Sequence, residues 1–398
     1  MFSISHSASS SFDLDALEPR RFLSATSYTE QDLVSNQSGT TPHTDTRLKN
    51  PWGLAVGPKG IEVADNATGK GTMYDATGKN VVATVTVPGP GGGRGTRGAP
   101  TGVAYNGRAD AFKIGKTTKS AQFIFVTEQG TIDAWSGLKS DATATIVLDN
   151  GSGADGASYT GADVSTFRGK PYLFAADFAN GQVDVINSSF KNTHVVGRFA
   201  DPNLPSGYAP FNVTNVGGQL WVAFAKRDNS TGDEIHGAGL GVIDVFGTDG
   251  KLQRRLTGGG QLNAPWGISK APGNFGVFSN DILVGNFGDG KVTAFDPTDG
   301  TNLGQLSNAS NVPIVLDGLW GIAFGNGHAG NLKNGLYFAA GINDEADGLY
   351  GRLIADQPNP YGMRRAFHPA FAQGSDSNAE RGTGLDDLGS DELSPVAV

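Results

Sequence analysis

The apolar residues of this chain fall in short runs, and many of those runs open on the same three-residue corner. Six corners align: Pro51-Trp52-Gly53, Pro100-Thr101-Gly102, Tyr159-Thr160-Gly161, Pro210-Phe211-Asn212, Pro265-Trp266-Gly267 and Leu319-Trp320-Gly321. Their spacings are 49, 59, 51, 55 and 54 residues, which matches a four-stranded propeller blade at the long end of its range. An apolar run follows each corner, as in "GLAVG", "GVAYN" and "GIAFG". That is the pattern of an inner strand packed on both faces. Proline fixes φ and ends the preceding strand, and glycine is expected to let the backbone turn sharply into the next one.

A second repeated element lies downstream of each corner: an apolar strand, a polar glycine-containing turn, then an alternating strand such as Lys291-Val292-Thr293-Ala294-Phe295. Alternation of that kind marks a half-buried hairpin strand. The fourth copy is split by an insertion, "KRDNSTGDEIHGAG", at 226–239. Six corner strands with six hairpins predict an all-β, six-bladed β-propeller over residues 27–357. The strand-like "SYTEQDLVSN" (27–36) precedes the first corner, whereas the sixth unit ends soon after "GLYGRLIA". The N-terminal segment is therefore expected to supply the outer strand of the last blade and close the ring. Residues 1–26 are expected to be a disordered leader and 358–398 a disordered acidic tail.

Composition agrees with many short strands and tight turns. The 59 glycines among 398 residues are about twice the usual share. Formal net charge is −9, and the segment from Ser375 onward carries six acidic residues against one Arg. Phosphate binding needs clustered Lys and Arg, so a nucleic-acid partner is not expected. Cysteine is absent, which removes disulfides, thiol nucleophiles and thiolate zinc sites. No apolar run approaches the roughly 20 residues of a membrane span.

Several long motifs in order, among them "DLVSNQSG", "NPWGLA", "DPNLPSGYAPFNV", "LVGNFGDGKVTAFDP" and "AGINDEADGLYG", resemble an uncharacterised bacterial propeller family. Several of its members belong to organisms with the PEP-CTERM/exosortase sorting system. The stretch "LEPRRFLSA" (17–25) likewise resembles the LEPR-type motif of large exported planctomycete proteins. The resemblance implies the fold and an extracellular or cell-surface location, and it implies no reaction. The C-terminus departs from the sorted members in having no PEP motif, apolar helix or basic end.

In a propeller the loops entering the inner strands and those joining second to third strands edge the same funnel. Turn residues there include Asp65, Asn66, Glu128, Asp177, Asn286, Asp289, Asn343 and Asp344. Of these, Asp65, Glu128, Asp177, Asn286 and Asp344 form a candidate Ca²⁺ ligand set, since calcium prefers six to eight oxygen ligands. The same residues are equally good turn formers, with side chains that bond to the local backbone. Phe178 and Phe287, each in a turn, are candidates for an exposed funnel rim that meets a ligand. Asp233 and His236, with Glu234 in the fourth-blade insertion, add acid/base groups beside it. Trp52, Trp266 and Trp320 suit either sugar stacking or packing between blades, and their fixed place in the corner favours packing. The glycine-rich "PGPGGGRGTRGAPTG" (88–102) lacks the Gly-Lys-Ser/Thr ending of a P-loop and is expected to be an inter-blade loop, with Arg94 and Arg97 available to an anionic ligand.

With no His-Glu-x-x-His cluster and no Gly-x-Ser-x-Gly elbow in the sequence, the first expectation is an exported, non-catalytic propeller that binds a ligand or partner through one funnel face. A calcium-dependent hydrolase or lactonase-like enzyme with its site in the channel is the alternative, resting on fold analogy. A cell-envelope structural protein is a third.

Overall fold

Six antiparallel blades surround a central channel, five of four strands and one with a fifth, parallel strand at its edge, and the computed structural model describes them over residues 27–80, 84–92, 96–138, 142–153 and 155–356. Blade 1 is Pro51–Val56, Ile61–Asp65, Lys70–Tyr74 and Val85–Thr86; blade 2 is Pro100–Tyr105, Phe123–Thr127, Thr131–Trp135 and Thr145–Asp149. Blade 3 is Tyr159–Phe167, Lys170–Asp177, Gln182–Asn187 and Asn192–Thr193; blade 4 is Tyr208–Val216, Gln219–Lys226, Val242–Phe246 and Leu252–Gly258. Blade 5 is Pro265–Lys270, Ile282–Asn286, Val292–Phe295 and Asn302–Gln305. Blade 6 begins with Leu319–Phe324, Gly335–Ala340 and Leu349–Ala355. Among the described residues the only helical pieces are three short 3-10 turns.

The N-terminal segment closes the ring, as its sequence pattern predicts. Tyr28–Ser35 pairs antiparallel with Leu349–Ala355, from Tyr28 opposite Ala355 to Ser35 opposite Leu349. A short parallel strand, His43–Thr44, adds outside it. Ser27 Oγ donates to Asp356 Oδ2 at 2.6 Å, and the hydroxyl of the buried Tyr28 reaches into blade 5 to donate to the Phe275 carbonyl at 3.0 Å.

Burial follows position within each blade. The second strands Ile61–Asp65, Phe123–Thr127 and Ile282–Asn286 are buried at every residue, whereas the outermost strand of blade 2 is exposed at both ends and half-buried between them. Apolar side chains of neighbouring blades meet in separate layers. One such layer sets Ala55, Ala64 and Met73 of blade 1 against Val103, Phe123, Phe125 and Trp135 of blade 2. The leader with its "LEPRRFLSA" stretch and the acidic tail lie outside the described residues.

The repeated corner has a different physical basis from the one its sequence suggests. The proline begins the inner strand in blades 1, 2 and 5, where its missing N–H costs no ladder bond. At each corner the pairing between first and second strands shifts register, in all six blades; such bulges bend a strand and increase its twist. The corner glycines are absent from the positive-φ positions, so a sharp left-handed turn is not what requires them. Close approach is. A Cβ on Gly53 would sit 2.7 Å from the Thr101 carbonyl oxygen of blade 2, and one on Gly102 would sit 2.7 Å from the Ala162 nitrogen of blade 3. A Cβ on Gly267 would lie 2.8 Å from Trp320 O, and one on Gly321 2.5 Å from Trp52 O. Six inner strands converge on one axis, and the glycines give their backbones room to do so. Where blade 4 has Asn212 instead, its side chain fills the space left by Gly161 of blade 3.

Candidate functional site

The three corner tryptophans meet at the channel axis. Trp52 of blade 1 stacks on Trp320 of blade 6 with ring centroids 3.5 Å apart and planes 15° from parallel. Phe287 of blade 5 stacks with Trp320 at 3.8 Å, and Trp266 meets Trp320 edge-on at 5.9 Å. Phe211 and Phe178 complete the cluster, with centroids 5.0 Å apart. Polar bonds tie it across the channel: Trp266 Nε1 donates to the Thr160 carbonyl of blade 3 at 2.9 Å, and Asn212 Nδ2 donates to the Trp266 carbonyl at 2.9 Å. The tryptophans therefore pack between blades as expected, and together they form an aromatic plug. Phe178 is only 4% exposed, so it belongs to this plug rather than to an exposed rim; Phe287 is half-buried against it.

The starting residues of the inner strands lie to one side of the plug and their continuations to the other, with a cavity on each side. One, of about 440 Å³, is lined by the inner strands of all six blades beyond their corners. The other, of about 420 Å³, opens on the corner face and is walled by Trp52, Thr160, Phe178 and Phe211 below and by Glu128, Arg227, Asp233 and Glu234 above. The fourth-blade insertion reaches over this second cavity. Arg227 Nη1 donates to the carbonyls of Phe178 and Ala179 in blade 3. His236, held to Glu234 at 3.0 Å, places its ring edge-on to Phe287 of blade 5 at 5.0 Å.

Electrostatics here are dominated by carboxyls. Glu128 is open to the funnel, yet the surrounding walls displace much of its hydration. That desolvation, reinforced by the charges of Glu345, Glu234 and Asp233, pushes its carboxyl up to about 7 against a hydrogen bond with Asn66. Glu345 is also raised, chiefly by desolvation and then by Glu234, although Trp320 Nε1 donates to its Oε1 at 3.1 Å. His236 is raised because Glu234 accepts its hydrogen bond. Two polar atoms in the residues walling the floor have no protein partner: Trp52 Nε1 and Thr160 Oγ1. The two residues are 6% and 5% exposed, and a buried polar atom without a partner costs about 1–3 kcal/mol.

The expected convergence of Asp65, Glu128, Asp177, Asn286 and Asp344 on one cation does not occur. Asp65, Asp177 and Asn286 occupy the same position in three blades, the last residue of the second strand, and each is at most 1% exposed. Asp177 Oδ1 accepts from the Ser158 and Asn180 backbone nitrogens, Asn286 Oδ1 from Asn263 N, and Asp65 Oδ2 from Thr72. Asp177 and Asn286 fasten the corner loops to their own blades, which is turn chemistry, and Asp65 is tied instead to the third strand of its blade through Thr72. Asp344 is exposed. Only Glu128 enters the funnel, and no group of three or more His, Asp or Glu side chains able to hold a metal ion occurs among the described residues. The side chains present do not fit a calcium ion.

Glu345, Arg227, Thr160 and Glu234 complete the site, and only Glu234 stood out in the sequence. Glu345 follows "IND", whose Asn and Asp read as ordinary turn formers. In the folded chain Asn343, Asp344 and Glu345 all have positive φ, of 58°, 50° and 62°. A left-handed conformation costs a non-glycine residue about 1–2 kcal/mol. Here it is held by Asn343 N donating to Asp317 Oδ2 at 3.0 Å and by Asn343 Nδ2 donating to Asp347 Oδ2 at 2.9 Å. The result is that Glu345 meets the plug. Of the two loop arginines, Arg97 forms a bridge with Pro88, and Arg94 lies outside the described residues.

An uncharacterised protein of Acanthamoeba polyphaga mimivirus is 34% identical over 349 residues, covering 85% of this chain and 82% of its own length. A second uncharacterised mimivirus protein is 32% identical over 335 residues, covering 82% of this chain and 85% of itself. The chain belongs to this mimivirus family. That corrects the placement in a bacterial, planctomycete-type family, since these relatives are viral, and with it falls the family resemblance from which export was inferred. No family model matches the chain. Among solved structures, a protein of unknown function from Bacteroides thetaiotaomicron matches with a TM-score of 0.51 at 13% identity, over 82% of this chain and 76% of its own. This likeness is one of fold. A streptogramin B lyase is a looser match, with a TM-score of 0.47 at 14% identity over 83% of this chain and 98% of its own.

Proposed function

We propose that this protein is a binding propeller that takes a small polar ligand into the corner-face cavity. The observation that carries this reading is the cavity itself, about 420 Å³, with Trp52, Phe178 and Phe211 on its floor and Glu128, Arg227, Asp233 and Glu234 at its rim, the mixture of apolar wall and a few polar groups that small-molecule sites show. The strained turn that carries Glu345 to the plug supports the same reading, because backbone strain of this kind gathers at ligand clamps and active sites. Trp52 and Trp320 also furnish the assay. Ligand entering above the stacked pair alters intrinsic fluorescence, and a compound screen read by fluorescence and melting temperature is expected to yield binders that Asp233→Ala weakens. Binders indifferent to Glu128→Gln and to Asp233→Ala, or a screen with no binder at all, would overturn the reading.

Acid–base catalysis is a second reading, favoured by one observation: Glu128 titrates near neutrality beside the Glu234–His236 pair. A general acid or base works best with a pKa near the working pH. On this reading a lactone and ester panel shows turnover that Glu128→Gln abolishes while binding persists; turnover unaffected by Glu128→Gln removes it.

A further inference from the structure

Beyond the plug, the cavity of about 440 Å³ has the underside of Trp266 in its wall and the inner strands of all six blades around it. Because the corners align, residues at equal distance from them form rings about the axis. Two residues past the corner, the ring reads Ala55, Ala104, Asp163, Thr214, Ser269 and Ala323. Three adjacent blades, the third to the fifth, present oxygen-bearing side chains, and the other three present methyl groups. At the next position the apolar half continues with Val56, Tyr105 and Phe324. The channel has a polar side and an apolar side, and it has the size of a small-molecule site.

Asp163 is the one acidic residue in this lining, and no Lys, Arg or His lines the cavity with it. It is half-buried rather than sealed. Its Oδ1 accepts from Val164 N at 2.7 Å and its Oδ2 from Asn215 N of blade 4 at 2.8 Å. Those bonds fix the carboxyl on the wall and leave each oxygen a further lone pair. No cationic side chain among the described residues pairs with it. Lys270, directly after Ser269, is exposed to solvent, where its charge is screened within about 10 Å. Desolvation raises the Asp163 carboxyl to about 6 against its two backbone bonds, so at pH 7.5 it is largely ionised in a wall poor in water. An ammonium supplies both the missing charge and a charge-assisted hydrogen bond.

We propose that this cavity is a second ligand site, for a small primary amine with an apolar body, its ammonium on Asp163 beside Thr214 and Ser269 and its body against Val56, Ala323 and Phe324. A carboxylic acid sets a second negative charge beside Asp163, and a polyol leaves the alanine half of the ring without an apolar partner. The lining shares no residue with that of the corner-face cavity, so the two sites are tested separately.

Three molecules of one skeleton, phenethylamine, phenethyl alcohol and phenylacetate, are compared by melting temperature and calorimetry at pH 7.5. Phenethylamine is expected to raise the melting temperature in a concentration-dependent way. The alcohol should bind about tenfold or more weakly, the difference between a charged and a neutral hydrogen bond, and phenylacetate should not bind. Asp163→Asn should weaken the amine about tenfold or more and change the alcohol by no more than a few-fold. Ala323→Leu fills the apolar half and should weaken amine and alcohol alike. Amine binding that Asp163→Asn leaves intact overturns the proposal, as does alcohol or acid binding equal to the amine, or no binding of any of the three. Amine binding lost in Glu128→Gln but kept in Asp163→Asn assigns the ammonium to the corner-face cavity and overturns it too. Should Asp163→Asn fail to fold, Ala323→Leu carries the test, because amine binding that survives a filled channel lies elsewhere and overturns the proposal.

Discussion

At Gly53 a single missing methyl group decides whether two blades can touch. Its backbone is not left-handed, so alanine is free to adopt the same dihedral angles, but the added Cβ would press on the Thr101 carbonyl at 2.7 Å and on the Val103 nitrogen at 2.9 Å. Overpacking against backbone that cannot yield costs about 1–3 kcal/mol. Gly53→Ala should therefore lower stability by that amount in denaturant titration, whereas Gly107→Ala should be nearly silent, because Gly107 is not left-handed either and its Cβ would meet nothing closer than Tyr105 Cε1 at 3.5 Å. A cost at Gly53 no larger than at Gly107 would refute the close-approach account. The repeat of corner glycines was plain in the sequence, and the reason for it was not. A glycine placed for φ and one placed for contact are spelled alike, and only the neighbouring strand distinguishes them. The same limit applies to Asp65 and Asp177. Each was legible as a turn carboxylate, but whether its oxygens faced a channel or its own backbone depends on a rotation that the sequence does not record. Glu345 shows the converse, a funnel carboxylate disguised by its turn.

The closing strand was the most readable element, because Tyr28, Leu33 and Val34 stand among polar residues ahead of the first corner and the sixth unit lacks a fourth strand of its own. These three side chains are at most 7% exposed. At about 1.5–3 kcal/mol for each large apolar side chain buried, the strand contributes on the order of 5 kcal/mol beyond its ladder bonds. Deleting residues 1–26 should leave the melting temperature nearly unchanged. Deleting 1–37 should lower it markedly and expose the edge at Leu349–Ala355, with concentration-dependent aggregation. Equal melting temperatures for the two truncations would count against closure. The insertion in blade 4 was legible as an interruption between two strands. Its course over the funnel, from Arg227 on blade 3 to His236 against Phe287 of blade 5, was not, since loop paths are set by contacts far apart in sequence.

Across the whole molecule the buried carboxyls set the response to pH. Burial pushes Glu62 and Asp65 well above the usual range and Asp133 up to about 7, and Asp244 rises to about 6 despite Arg255. Groups raised on folding bind protons more tightly in the native state, so stability falls as pH climbs from about 4 towards 7. Asp45 and Asp347, lowered in the folded protein, contribute in the opposite sense and lose their stabilisation as pH drops below about 4. Denaturant titrations should accordingly find greatest stability near pH 4–5, and a maximum above pH 7 would contradict the assignment. Glu62, fully buried with neither oxygen partnered, should be a principal source: Glu62→Met is expected to gain about 1–3 kcal/mol at pH 8, the cost of an unsatisfied buried polar group, and less at pH 4.5. The ring closure has a further consequence, in time rather than in energy. Ser27 and Asp356 are 329 residues apart, and a ribosome adding 5–20 residues per second needs roughly 15–65 s to make that span. Throughout that interval the finished first blades wait with their ring open, and a strand made before all six corners is the last to find its place.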